Sequence, residues 1–161
     1  MTESVSYELD IDRIIDAPCE LVYRAFTDPG ELAQWFGPTG WHVEPNSVEI
    51  DLRPGGKQRF VMVNGEDPSF VSAVDAEYVE VIENELLVGT EAVDHAAGYT
   101  GPSGTLTLRL EFRPEGRNRT RLVIRQGPFT MDMEEQARRG WDSSFTKLDD
   151  LLAAQRRGRV R

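Results

Sequence analysis

The sequence predicts an α+β domain in which a curved antiparallel sheet of about seven strands closes around one long C-terminal helix, with two short helices after the first strand. Three observations predict it. Apolar residues alternate at period two in several short runs divided by turn residues, from residue 41 to residue 126. Met133, Ala137, Trp141, Phe145, Leu148 and Leu152 are then spaced 4, 4, 4, 3 and 4, a single helical stripe. A helix with one apolar stripe must bury it, and a sheet with one apolar face is the partner large enough to do so.

The first strand is read at Tyr7 to Asp16, with Tyr7, Leu9, Ile11 and Ile15 on one face and Glu8, Asp10, Asp12 and Asp16 on the other. Arg13 places a guanidinium on the apolar face and Ile14 an apolar group on the polar one. Asp16-Ala17-Pro18 changes the rhythm, with Asp16 as a candidate cap and Pro18 in a first helical turn. Leu21, Val22, Ala25 and Phe26 recur at helical spacing to Thr27. Asp28-Pro29-Gly30 breaks that helix, and Glu31 to Phe36 is a second one, closed by Gly37-Pro38.

Strands follow at Trp41 to Leu52, Lys57 to Val63, Phe70 to Ile82 and Leu86 to Val93, with Arg53-Pro54-Gly55-Gly56 and Asn64-Gly65 as turns. Asp94 to Gly104 reads as a glycine-rich loop. Leu106, Leu108, Leu110 and Phe112 then alternate with Thr105, Thr107, Arg109 and Glu111, so one face is buried and the other wet. The turn Pro114 to Asn118 leads into the last strand, Thr120 to Gln126. Asp132, with Glu135 three residues on, resembles a capping box for the closing helix.

The 161 residues, 39% hydrophobic and 29% charged, suit one domain, read as residues 1–153, followed by a basic tail at 154–161. The formal net charge is −10, which gives nucleic acid no electrostatic footing. No window approaches ~20 consecutive apolar residues, and MTESVSYELD lacks the regions of a secretory signal, so a cytoplasmic protein is expected, with no membrane contact. The single cysteine, Cys19, has no disulfide partner within the chain. It is either a buried inert thiol or, in a first helical turn, one with a lowered pKa. His42 and His95 are the only histidines. No zinc-ligand spacing, HExxH, CxxC or phosphate-cradling loop occurs, so neither a metal nor another cofactor is expected.

Four places, taken in order, resemble the START-like (SRPBCC) superfamily with the helix-grip fold, and within it the activator of Hsp90 ATPase homologue 1-like family. These are Arg13-Ile14-Ile15-Asp16-Ala17-Pro18 with Phe26-Thr27-Asp28-Pro29, then Gln34-Trp35-Phe36-Gly37-Pro38, then Arg53-Pro54-Gly55-Gly56, then Gly140-Trp141 with Leu148 and Leu151. The resemblance covers residues 7 to 152. The resemblance implies a space between sheet and closing helix in which many relatives hold small apolar ligands. It also implies two other roles: activator of an Hsp90-type chaperone in a stress response, and cofactor-independent enzyme similar to polyketide cyclases.

The expected function is a noncatalytic binding module for a small apolar or amphipathic molecule, acting as monomer or homodimer, in an apolar cavity of roughly 300 Å³ or more. Its walls are expected from Trp41, Phe60, Met62, Tyr78, Trp141 and Phe145. Ala137, Gly140 and Ser144 form a small-residue strip beside them on the closing helix. That strip either leaves volume for the ligand or lets a strand or the second short helix approach closely. Arg13 either anchors a ligand carboxylate or pairs with an acidic side chain of the chain itself.

Overall fold

The computed structural model describes residues 7–93 and 104–159. The elements run β1 (Tyr7–Ile15), α1 (Cys19–Thr27), α2 (Pro29–Trp35), β2 (Trp41–Val43), a 3-10 turn (Pro45–Ser47), β3 (Glu49–Ile50), β4 (Lys57–Asn64), β5 (Val71–Ile82), β6 (Leu86–Val93), β7 (Gly104–Glu115), β8 (Arg119–Phe129) and α3 (Met131–Arg159). One antiparallel sheet holds them in the order β1-β8-β7-β6-β5-β4-β2, with β3 also on β4.

The sheet has eight strands where seven are expected, because the run Trp41 to Leu52 divides. Pro45 has no N–H to give a ladder. The chain instead turns there, and the Ser47 hydroxyl donates to Glu44 O at 2.6 Å while accepting the Val61 N–H at 2.9 Å. One side chain thus satisfies the β4 amide at the gap between β2 and β3.

Three helix starts also differ from expectation. Pro18 holds the cap position of α1 without a side-chain bond, and Asp16 instead accepts from Arg156 Nη1 through its carbonyl at 2.8 Å and its carboxylate at 2.9 Å. Asp28 ends α1 and begins α2, its Oδ2 accepting the Glu31 N–H at 3.0 Å, so α2 starts at Pro29. At α3 the cap is Thr130 rather than Asp132: its carbonyl accepts from Glu134 N and its Oγ1 from Met133 N.

The basic segment expected as a tail is helical through Arg159. Gln155 donates to Glu31 of α2 and Arg156 to Asp16, so contacts with two earlier elements carry the helix past residue 153. Gly56 explains the double glycine before β4: a Cβ there would stand 1.9 Å from the Asp51 carbonyl oxygen. Ile14, on the outer face of β1, is 44% exposed.

The core lies between the inner face of the sheet and the three helices. Leu9, Ile11 and Ile15 of β1 and Leu122 and Ile124 of β8 meet Phe145, Leu148 and Leu152 of α3, all buried. Each such side chain stabilises the fold by about 1.5–3 kcal/mol relative to exposure. The helix α3 therefore packs on the β1–β8 side and against α1 and α2. This placement decides which of its residues reach the rest of the sheet. Trp35, fully buried, joins the two short helices by donating its indole N–H to Ala25 O at 2.9 Å. Among the described residues no helix is long and apolar enough to cross a membrane.

Candidate functional site

Over the β4–β7 side of the sheet the helices leave a cavity of about 120 Å³. Two small residues on the inner face open it. Ala76 of β5 stands between Gln58 of β4 and Glu91 of β6, and Gly89 of β6 stands between Tyr78 of β5 and Leu108 of β7. Bulky side chains at these two positions would project into the same space. Gly89 is also held by its surroundings, since a Cβ there would come within 3.3 Å of the Glu77 carbonyl oxygen.

The walls divide by chemistry. Phe26, Leu32, Phe36, Phe60, Leu87 and Leu110 line one part, joined by Trp141 from α3. Rings meet there edge to face, Phe36 with Phe60 at 5.1 Å between centroids and with Trp141 at 5.7 Å. Gln58 of β4, Glu91 of β6 and Gln126 of β8 add polar side chains from the inner face and are all half-buried. Gln126 Oε1 accepts the Trp141 indole N–H at 2.9 Å, which fixes one wall to the sheet. The Glu91 carboxylate accepts the Asp75 N–H at 3.1 Å. Burial raises the Glu91 pKa, opposed by that hydrogen bond and reinforced by the Asp75 carboxylate.

Tyr78 is the other group set apart. It is 5% exposed, lines the cavity, and its hydroxyl has no hydrogen-bond partner among the described residues. Burial, and then the neighbouring Tyr23, push its pKa well above the ordinary phenol value. A neutral, unpartnered phenol beside an open space is a donor left for a guest or a water.

Of the residues singled out in the sequence, Phe60, Tyr78 and Trp141 come together at the cavity. The others lie elsewhere. Trp41 and Met62 belong to the β2–β4 pair beside the Gly37-Pro38 turn, with Met62 Sδ against Gly37. Ala137 packs half-buried on the core. Ser144 bonds back to Gly140 O at 2.8 Å. Phe145 is fully buried, stacked on Trp141 and covered by the Arg13 guanidinium 4.7 Å from its ring centroid. With α3 lying toward β1 and β8, Trp141 is the residue of α3 that lines the cavity among the described residues. Gly140 borders instead a surface groove with Pro38, Thr39 and Ser143.

Arg13 follows its internal reading: Nη2 pairs with Asp149 of α3 at 2.9 Å, away from the cavity. The cavity is also smaller than the expected 300 Å³, since Phe36, Phe60 and Trp141 fill much of the hollow. His42 lies 3.6 Å from Glu44 at the surface, and Cys19 is half-buried with its Sγ 3.4 Å from Thr120 Oγ1. Among the described residues no group of His, Cys, Asp or Glu could hold a metal ion. His95 and residues 94–103 of the glycine-rich segment lie outside the described residues, and Gly104 begins β7.

Ala76, Gly89, Gln58, Glu91 and Gln126 are cavity residues that the sequence reading missed. A signal for them exists. Each occupies an inward position of its strand, where the alternation set by Phe60, Tyr78, Leu87 or Ile124 calls for a bulky apolar residue.

The family model described as "Activator of Hsp90 ATPase homolog 1-like protein" matches residues 16–153. The chain belongs to this family. The solved structures agree with it. A protein from Chromobacterium violaceum is similar at 27% identity and a TM-score of 0.78, over 90% of this chain and 96% of that one. One from Nitrosomonas europaea is similar at 26% identity and 0.75, over 92% and 96%. The AHSA1 protein from Silicibacter pomeroyi is similar at 25% identity and 0.74, over 92% and 99%. These neighbours share the curved sheet gripping a C-terminal helix, which makes the chain a START-like domain of the helix-grip fold. No curated protein sequence matches the chain.

Proposed function

We propose that this START-like domain binds one small amphipathic molecule between its sheet and its helices. The observation that carries the reading is the cavity itself: an apolar, partly aromatic hollow opened by Ala76 and Gly89, with polar side chains from β4, β6 and β8 among its walls. Its volume of about 120 Å³ is near the ~150 Å³ at which an apolar cavity takes up a benzene-sized guest. The guest is therefore a molecule of roughly that size rather than a long acyl chain or a multi-ring polyketide.

Native mass spectrometry of freshly purified protein tests this, because it reads both a retained small molecule and the subunit count. The expected result is an added mass that disappears on denaturation and is absent from Ala76→Leu, in which the side chain occupies the hollow. A bare mass for the wild-type chain, together with no uptake of small aromatic probes, overturns the reading.

One observation favours a second reading, proton-transfer catalysis without a cofactor: Tyr78 and Glu91 line the same cavity, and burial raises the pKa of both. Its test is chemical change of the retained molecule on incubation with the wild-type chain and none with Glu91→Gln. An unchanged molecule after incubation with the wild-type chain rejects it.

A further inference from the structure

Resting on the binding reading above, we infer that the cavity selects a small primary amine, its ring or short alkyl body among Phe26, Phe36, Phe60 and Leu110 and its ammonium group at Glu91. The lining residues set the sign of the polar part. Glu91 is acidic and Gln58 and Gln126 are neutral; Glu77, alternating with the inward Ala76 and Tyr78, is exposed and pairs with Lys57 at 3.5 Å, and no described lining residue is Lys, Arg or His. A carboxylate or phosphate in the same place would meet like charge with no counter-ion. An ammonium meets a half-buried carboxylate that burial and the nearby Asp75 both leave short of compensation.

Position supports the same guest. Glu91 and Gln58 are the two cross-strand neighbours of Ala76, so a carboxylate and an amide flank the point where the inner face lacks a large side chain. An ammonium has three N–H donors, and those two side chains offer acceptors for them. Tyr78, in the adjoining row of the sheet, lines the same hollow, and its buried hydroxyl has no hydrogen-bond partner among the described residues.

The test is calorimetric titration of the full chain at neutral pH with three probes that share one ring: toluene, benzylamine and benzoate. Benzylamine is expected to bind about tenfold more tightly than toluene, the increment of one charge-assisted hydrogen bond, and benzoate more weakly than toluene. In Glu91→Gln the ratio of benzylamine to toluene affinity falls to about one, and in Glu91→Asp part of it remains. Ala76→Leu excludes all three. Toluene binding as tightly as benzylamine, or an amine preference that survives Glu91→Gln, overturns the inference while leaving the binding reading in place. Absence of binding by all three probes overturns the inference, and together with a bare native mass it overturns the binding reading as well.

Discussion

The Trp141 indole N–H donates to Gln126 Oε1 at 2.9 Å, and this bond joins the closing helix to the last strand at the wall of the cavity. Trp141 is 7% exposed, so its donor has little access to water. Replacing Gln126 by Leu leaves that N–H unpaired, at a cost of about 1–3 kcal/mol. The expected outcome is a lower Tm and an altered near-ultraviolet circular dichroism band. An unchanged Tm would mean that the indole finds another acceptor.

Ala76→Leu adds three carbons where Ala76 now leaves space between Gln58 and Glu91. Filling an apolar hollow stabilises by ~0.8 kcal/mol per buried methylene when the rotamer fits. The expected variant is at least as stable as the parent and takes up no small aromatic probe. A fall in Tm with probe uptake retained would show that the leucine turns away from the cavity.

Gly140 separates what the sequence discloses from what it withholds. A glycine inside a helix signals either a close approach or space for a guest, and neither governs here: a Cβ would meet only Pro38 Cγ, at an ordinary 3.7 Å. Gly140→Ala is therefore expected to stabilise the protein by about 0.5–1 kcal/mol through helix propensity, read as a higher Tm. A lower Tm would place a tighter neighbour at this position than the Pro38 ring.

The fold is legible in the sequence because periodicity reports which side of an element is buried. The stripe from Met133 to Leu152 and the alternation from Leu106 to Phe112 do so over long runs. The division of Trp41 to Leu52 is harder to read, since it depends on the Ser47 hydroxyl taking the Val61 amide from fourteen residues away. The site is less legible still. Which residues of α3 face the hollow depends on the lateral position of the helix on the sheet, set by Arg13–Asp149 and the packing of Phe145, Leu148 and Leu152 against β1 and β8. A stripe fixes the face of a helix but not the strands that it covers. The inward polar residues Gln58, Glu91 and Gln126 are visible as breaks in alternation, and only the register of five strands shows that they face one hollow.

Glu91 also gives a pH test with a definite sign. Burial raises its pKa in the folded protein above 4.5, the value for an unperturbed carboxyl. A raised acid favours the folded state while it is protonated. That contribution is complete below the unfolded pKa and is lost as pH rises through the folded one. Once ionised, Glu91 is a poorly solvated carboxylate, which Glu91→Gln removes while keeping an oxygen to accept the Asp75 N–H. The variant is expected to melt at a higher temperature than the parent above the folded pKa of Glu91, with the gap narrowing as pH falls through that pKa and closing below 4.5, where Glu91 is protonated in both states. Thermal melts of the two proteins across that range check it. A gap that is constant with pH would assign the difference to packing rather than to charge, and a reversed gap would mean that the carboxylate already has a cationic partner.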